Sequence, residues 1–394
     1  MTEEIERTFK YLLYSRALRS IALIYSSLAF SLYLSALHVS LVKIGLVAAL
    51  VLFSTIFLTL LYGAIGDRKG FKTEMIIGET VTFVGLAIIA FSASVPLIVI
   101  GMILAGLSGS AGGMRGSFSP GSSAFIANNY RDERERVKKF SSVSLVASVS
   151  AIGGSIMFSS VSELGRLFGL LSAYRLLFAT STILVGVSVL LLSKLNEVGK
   201  KKKTTRIMRM ESWQYLKKVI IVNALGGAGT GLILPLLPLW LKLRYNANSF
   251  GIGLLFTAVY LFTALGLYLS MKYSYKFRLL NVVAETRIVG AVLVLAVALS
   301  PYFILAAVFY LVRSIVLGFG SPSRTNVNIR GISNEDYGTA SSIQGTATRI
   351  AQLSAGASGY LMDISLPLPL LLGGLFQFAS GVCYKFLFKK DSQK

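Results

Sequence analysis

The chain has 394 residues, of which 54% are hydrophobic and only 14% charged. Soluble domains carry roughly 25% charged residues, so an ordinary water-facing surface is excluded and lipid is the natural solvent for what remains exposed. The formal net charge is +22, from 39 Lys and Arg against 17 Asp and Glu, and the placement of those cations decides between a nucleic-acid partner and a membrane.

A membrane helix needs about 20 apolar residues to cross the hydrocarbon core. Twelve such runs follow one another: 12–36, 43–65, 74–93, 96–119, 140–161, 168–193, 216–241, 249–271, 279–299, 301–321, 338–361 and 366–388. The chain opens with "MTEEIERTFK", which is acidic and polar and lacks the basic start of a cleavable signal peptide. Span one holds Arg16 and Arg19 near its beginning, where snorkelling to the interface is expected. Between spans two and three the apolar sequence stops for "YGAIGDRKGFKTE", Tyr62–Glu74. Span three contains Glu79. Span four has the weakest apolar signal because Gly and Ser dilute it, and it holds Arg115 within "GGMRGSFSP".

The longest basic, polar stretch is "SKLNEVGKKKKTTRIMRMESWQYLKK", Ser193–Lys218. It divides the chain into 1–193, a linker at 194–215, and 216–394. The linker is either a short helix on the membrane face, with Ile207, Met208, Met210, Trp213 and Leu216 inward, or a disordered tether. Span seven follows with Asn223, Thr230, Pro235 and Pro238, and its Gly and Pro content favours a bent helix of the kind that lines cavities. Its glycines do not form a phosphate loop, since no G-x-x-x-x-G-K-[ST] occurs. Span nine carries Glu285 and Arg287, two apart and so not facing each other on one helix. Arg313 falls near the middle of span ten, and Arg349 near the middle of span eleven with Gln352 about one turn on.

Lys and Arg alternate in side. One set of loops holds Arg68, Lys69 and Lys72, then Arg131, Arg134, Arg136, Lys138 and Lys139, then Lys200 to Lys203, then Lys272, Lys276 and Arg278, then Arg324 and Arg330. The opposite loops hold little beyond Lys43, Arg166, Lys242 and Arg244. The positive-inside rule puts the first set and both termini in the cytoplasm of a cell-membrane protein. The basic residues therefore face anionic membrane lipids, and no nucleic-acid partner is expected. Cys383 and His38 are the only residues of their types, which excludes a disulfide framework and Cys- or His-rich metal sites. An intramembrane enzyme would need an acid pair, a nucleophile–His set or metal ligands, for which the chain has almost no material; neither an enzyme nor a cofactor is expected.

The halves repeat weakly. "GETVTFVGLAIIA" (Gly78–Ala90) matches "AETRIVGAVLVLA" (Ala284–Ala296), and Ser119-Pro120 matches Ser321-Pro322. Such matched halves in one orientation are the repeat logic of many secondary transporters. Within the span-two to span-three turn, Gly63-x-x-x-Asp67-Arg68-x-Gly70-x-Lys72 resembles the loop signature of the major facilitator superfamily, with Phe71 where a basic residue is usual. The second-half turn "GLYLSMKYSYKFR" keeps Gly266, Lys276 and Arg278 but has Ser270 at the Asp position.

The resemblance implies an all-α polytopic membrane protein of twelve transmembrane helices in two pseudo-symmetric six-helix bundles. It implies a secondary active transporter, working by alternating access, with spans one, four, seven and ten around the cavity. Gly63, Asp67, Arg68, Gly70 and Lys72 would then form a conformational latch, with Gly63 and Gly66 admitting close helix approach and the cations pairing with Asp132, Glu133 or Glu135. Ionisable residues inside a membrane are costly and mark function. Arg313, Arg349, Gln352, Arg115, Asn223 and Thr230 are accordingly the candidates for contact with solute or coupling ion, and Glu79 and Glu285 the candidate proton sites. Cations at mid-depth without acids in the cavity spans point to a small organic solute that is anionic or amphipathic. A proton-coupled exporter of drugs or amphipathic compounds is the second reading, weakened because "SGSAG" in span four lacks the usual Arg and span five has no Pro. A monomer is expected.

Overall fold

The computed structural model describes residues 2–109, 121–122, 125–126, 129–130, 133–196, 210–332 and 337–388. Regular structure among the described residues is helical throughout. The first part of the chain forms α1 (Thr2–Ala36), α2 (Leu41–Lys69), α3 (Phe71–Phe91), α4 (Val95–Ala105), α5 (Glu133–Ser159), α6 (Val161–Phe168) and α7 (Leu170–Ser193). The second forms α8 (Met210–Ile233), α9 (Leu237–Tyr245), α10 (Ser249–Tyr273), α11 (Leu279–Leu299), α12 (Phe303–Arg330), α13 (Tyr337–Ala351), α14 (Ala355–Ile364) and α15 (Leu368–Leu387).

Among the described residues, ten helical stretches are long and apolar enough to cross a membrane. The two other predicted spans look different. Span four is described only as far as Gly109: α4 has 11 residues, Val95–Ala105, and is followed by Gly106, whose φ of 68° is the left-handed conformation that stops a helix cheaply only at glycine. Span eleven is broken: α13 gives way to a 3-10 turn at Gln352–Ser354 before α14 begins. Gln352 therefore does not continue the regular helix of Arg349, as helical spacing had suggested. The break is held from outside, because Ser354 Oγ donates to the Ala228 carbonyl at 2.7 Å and Ser358 Oγ to that of Leu232 at 2.7 Å. Span seven is likewise interrupted between α8 and α9, where Pro235 and Pro238 lack the N–H groups a continuous helix needs. Pro322, by contrast, stays inside α12.

Contacts divide the chain into two compact units. The first comprises Met1–Val39, Leu50–Thr204 and Asn248–Thr257; the second comprises Ser40–Ala49, Thr205–Ala247 and Ala258–Lys394. In the first unit, α1 packs on α5 and α7, and α3 packs on α4 and α7. Small hydroxyl residues let α1 and α7 approach: Ser15 meets Ser188 at 2.7 Å, Ser26 meets Ser181 at 2.6 Å, and Tyr25 meets Thr180 at 3.0 Å. At the end where α1 begins, Phe9 lies edge-on to Tyr130 and Lys139 sits over both rings. Burial there, with Glu6 and Glu135 nearby, pushes the Tyr130 phenol above its usual range. In the second unit, α11 packs on α12 and α15, while α8 packs on α13 and α15.

The outward faces are apolar. The membrane-length part of α1 is mostly buried and that of α2 mostly not, so α1 is a core helix and α2 a lipid-facing one. Phe53, Phe57, Leu60, Ile183 and Leu190 are all exposed. In water such surface would be an aggregation liability; in a bilayer it is the expected boundary.

Candidate functional site

Two buried polar clusters stand out, one in each unit. The first is built by α1, α3 and α7. Arg19 pairs with Glu79, and both are enclosed, at 2% and 0% side-chain exposure. Ser188 Oγ donates to the second Glu79 carboxylate oxygen at 2.9 Å and also meets Ser15. Arg16 is buried beside the pair, near enough to attract Glu79 and to repel Arg19. The expectation that Arg16 and Arg19 snorkel to the interface is thus overturned. A partner on α3 lets the guanidinium stay inside, and that partner is 60 residues away in the chain.

The second cluster is built by α8, α11, α12 and α15. Arg313 on α12 is 7% exposed. Its Nη2 donates to Gln377 Oε1 at 3.0 Å, and its guanidinium lies 5.4 Å from the centre of the Tyr310 ring. Arg287 on α11 donates from Nη1 to Ser380 Oγ at 2.9 Å and makes a long contact from Nη2 to Asn223 Oδ1 at 3.5 Å. It also lies 5.6 Å from the centre of the Tyr384 ring. The Tyr384 hydroxyl bonds to Asn328 at 2.8 Å and to Asn223 at 3.2 Å. Arg313 and Arg324 are near enough to Arg287 to repel it. The side-chain acceptors that Arg287 and Arg313 meet in these contacts are neutral.

The glycines of α8 have a role here. A methyl at Gly226 would overlap Nη1 of Arg287, and one at Gly229 would lie 2.9 Å from Gln377 Cγ. The "GGAGTG" run therefore keeps room for the polar side chains of α11 and α15.

The other predicted residues fall as follows. Asn223 belongs to the second cluster and is buried. Thr230 is half-buried, and its hydroxyl donates to the Gly226 carbonyl of its own helix at 2.7 Å. Arg349 is half-buried on α13, and Gln352 lies in the 3-10 turn with its carbonyl oxygen against Gly231. Arg115 lies outside the described residues. Glu285 is 53% exposed and pairs with Lys385 at 2.5 Å, which is the environment of a surface ion pair. Arg287, not among the candidates read from sequence, is at the centre of the cluster. Gln377, Ser380 and Tyr384 were missed; their spacing of i, i+3 and i+7 on one face of α15 was the available signal.

The signature turn is mostly helix. α2 runs through Lys69, Gly70 alone makes the turn with φ 97°, and α3 starts at Phe71. Gly70 is required there, since a left-handed residue with a Cβ is strained. Gly63 does not admit a close helix, because a methyl there would meet nothing within 4 Å. Gly66 does face a close neighbour: a methyl would lie 2.8 Å from the Phe71 ring and 2.9 Å from Glu74 Oε2. Arg68 is exposed and Lys72 half-buried. The side chains of Asp67, Asp132 and Glu133 lie outside the described residues.

An all-helical chain with many membrane-length helices and buried charge clusters is the architecture of a polytopic transporter. The family model of the Major Facilitator Superfamily matches residues 12–355, and the chain belongs to that superfamily. No curated protein sequence matches it. Among solved structures, it is similar to the POT family transporter PepTSo at 13% identity, covering 98% of each chain with a TM-score of 0.78. It is similar to a D-xylose-proton symporter at 16% identity, covering 96% of this chain and 95% of that one, with a TM-score of 0.74. The human organic anion transporter MFSD10 (TETRAN) matches at 13% identity, over 96% of this chain and 99% of that one, with a TM-score of 0.68. Identities this low speak to the fold. The protein is a multi-pass membrane protein and a secondary transporter of small solutes, not an enzyme.

Proposed function

We propose that the protein moves a small organic anion across the cell membrane by alternating access, and that Arg313 contacts the solute. One observation supports this above the others: a buried guanidinium at mid-helix that donates to Gln377, a side chain without charge. A charge at such depth costs at least about 2.5 to 3.5 kcal/mol on insertion scales, and an anionic solute would offset it each time it binds.

The rest of the reading follows from sequence. Two six-helix bundles, 1–193 and 216–394, rock about the linker 194–215, twelve spans cross the membrane, and both ends lie in the cytoplasm of a monomer. Asp67, Arg68, Gly70 and Lys72 latch one side. Protons or another ion supply the coupling, with Glu79 as the buried carboxylate best placed to take part.

Flux of organic anions into proteoliposomes tests the proposal. Arg313→Lys keeps the charge but loses the planar fork that suits a carboxylate, so transport falls sharply; Arg313→Ala abolishes it, with both variants still in the membrane. Normal transport by Arg313→Ala would make the residue structural and remove the main support for an anionic solute.

A further inference from the structure

The second cluster contains more donor capacity than its own residues use. Gln377, Ser380 and Tyr384 form one stripe along α15, and this stripe receives Arg313 from α12 and Arg287 from α11. Gln377 and Ser380 are three residues apart, a rise of about 4.5 Å along the helix, so two guanidinium groups converge on one short length of α15. Asn223 joins from α8. Within this group the Nε of Arg287, the Nε of Arg313 and the Nδ2 of Asn223 are all enclosed, and none has an acceptor among the described residues. Buried donors are almost always satisfied, by protein, water or a bound molecule. Two like charges and three unmet donors in one place ask for an acceptor that is itself negative.

We propose that this cluster is a two-armed site for a solute bearing two negative charges on oxygen, a dicarboxylate or a phosphate monoester. Arg313 and Arg287 are the arms, and the Asn223 amide is a neutral donor beside them. The proposal rests on the anionic-solute reading and narrows it to solutes with two negative charges. Arg324 is a third cation close enough to Arg287 to add to the field, and its Nη2 makes a long contact, at 3.5 Å, with Ser321 Oγ on its own helix. The site excludes bulk next to Arg287, since Gly226 and Gly381 press against that side chain. A compact solute is therefore favoured over an extended amphipathic one.

The test is binding to the purified full chain in nanodiscs of neutral lipid, followed by the shift in thermal unfolding at matched ionic strength. The probes are succinate, methyl phosphate, inorganic phosphate, acetate and chloride. Saturable stabilisation by succinate or the phosphates, at least about tenfold tighter than by acetate, is expected, one decade being the contribution of a modest second charged contact. Succinate alone, or the phosphates alone, would name the oxyanion. Arg287→Gln and Arg313→Gln should each reduce dianion binding to the acetate level. Equal shifts from all five anions, no shift from any, or undiminished dianion binding in Arg287→Gln would overturn the proposal. Should the glutamine variants fail to fold, the valence comparison on the unaltered chain decides by itself, and Arg287→Lys gives a charge-conserving check. Proteoliposome flux separates the two levels. Dianion binding without flux upholds the site and sinks the transport reading; flux of a singly charged organic anion without dianion binding does the reverse.

Discussion

The two buried clusters share three corresponding helices of the two units, the second adding α12, and solve the same problem in opposite ways. In the first, a guanidinium from α1 meets a carboxylate from α3, and Ser188 satisfies the second oxygen. In the second, the guanidiniums of Arg287 and Arg313 bond to Ser380 and Gln377, with Asn223 at a longer distance. An ion pair closed within the protein ties helices together. A cation with neutral partners retains its charge for something that comes and goes. The difference suggests that the first cluster holds its unit together while the second handles solute.

The largest effect should come from breaking the closed pair. Removing one member of a buried pair costs about 3–5 kcal/mol because the other charge is stranded. Glu79→Leu should therefore lower stability by that amount in unfolding titrations of the solubilised protein. Arg19→Met combined with Glu79→Leu should recover most of it. A stable Glu79→Leu single variant would show that Arg19 does not depend on the pair, and the contrast would collapse.

Arg313→Gln should behave in the other way. It loses a charge-assisted hydrogen bond to a neutral acceptor, a change of about 1.5–3 kcal/mol in unfolding, yet transport should be lost. If stability fell as far as in Glu79→Leu, the second cluster would be structural too. Gly226→Ala probes the same cluster without touching a charge. Its methyl must displace the Arg287 guanidinium, and overpacking of this kind costs about 1–3 kcal/mol; unchanged stability and transport would mean that Arg287 has room to move. The smallest effect is expected at Glu285, paired with Lys385 on the exposed surface. Exposed pairs contribute about 0–1 kcal/mol, so Glu285→Gln should unfold and transport almost as the unaltered chain does. Loss of proton-coupled flux in that variant, with Glu79→Gln unaffected, would reverse the assignment of the two carboxylates.

Glu79 and Glu285 show how far the sequence could be read. They occupy the same place in "GETVTFVGLAIIA" and "AETRIVGAVLVLA", and both were candidate proton sites. One is fully buried and the other is half in solvent or headgroup. Nothing local distinguishes them, because rotation of the helix about its axis decides which side chain faces a neighbour. Arg16 and Arg19 were misread for the same reason, as their depth along the helix was legible but the carboxylate waiting on α3 was not. The breaks in spans seven and eleven differ in legibility. Pro235 and Pro238 announce the first by chemistry, whereas the second has no Pro and depends on Ser354 and Ser358 bonding to carbonyls of α8.

The sequence by itself determined that the chain is a bundle of membrane helices, where most of those helices run, and which superfamily it belongs to. Those properties are local: a long apolar run must satisfy its own backbone as helix in lipid, and a glycine at a left-handed turn is written into Gly70. Only the tertiary structure decided which charges are neutralised and which are left open. Arg19 finds Glu79 across 60 residues and Arg313 finds Gln377 across 64. Electrostatic energy depends on distance in space, and in a folded helical bundle that distance is set by packing between helices far apart in the chain.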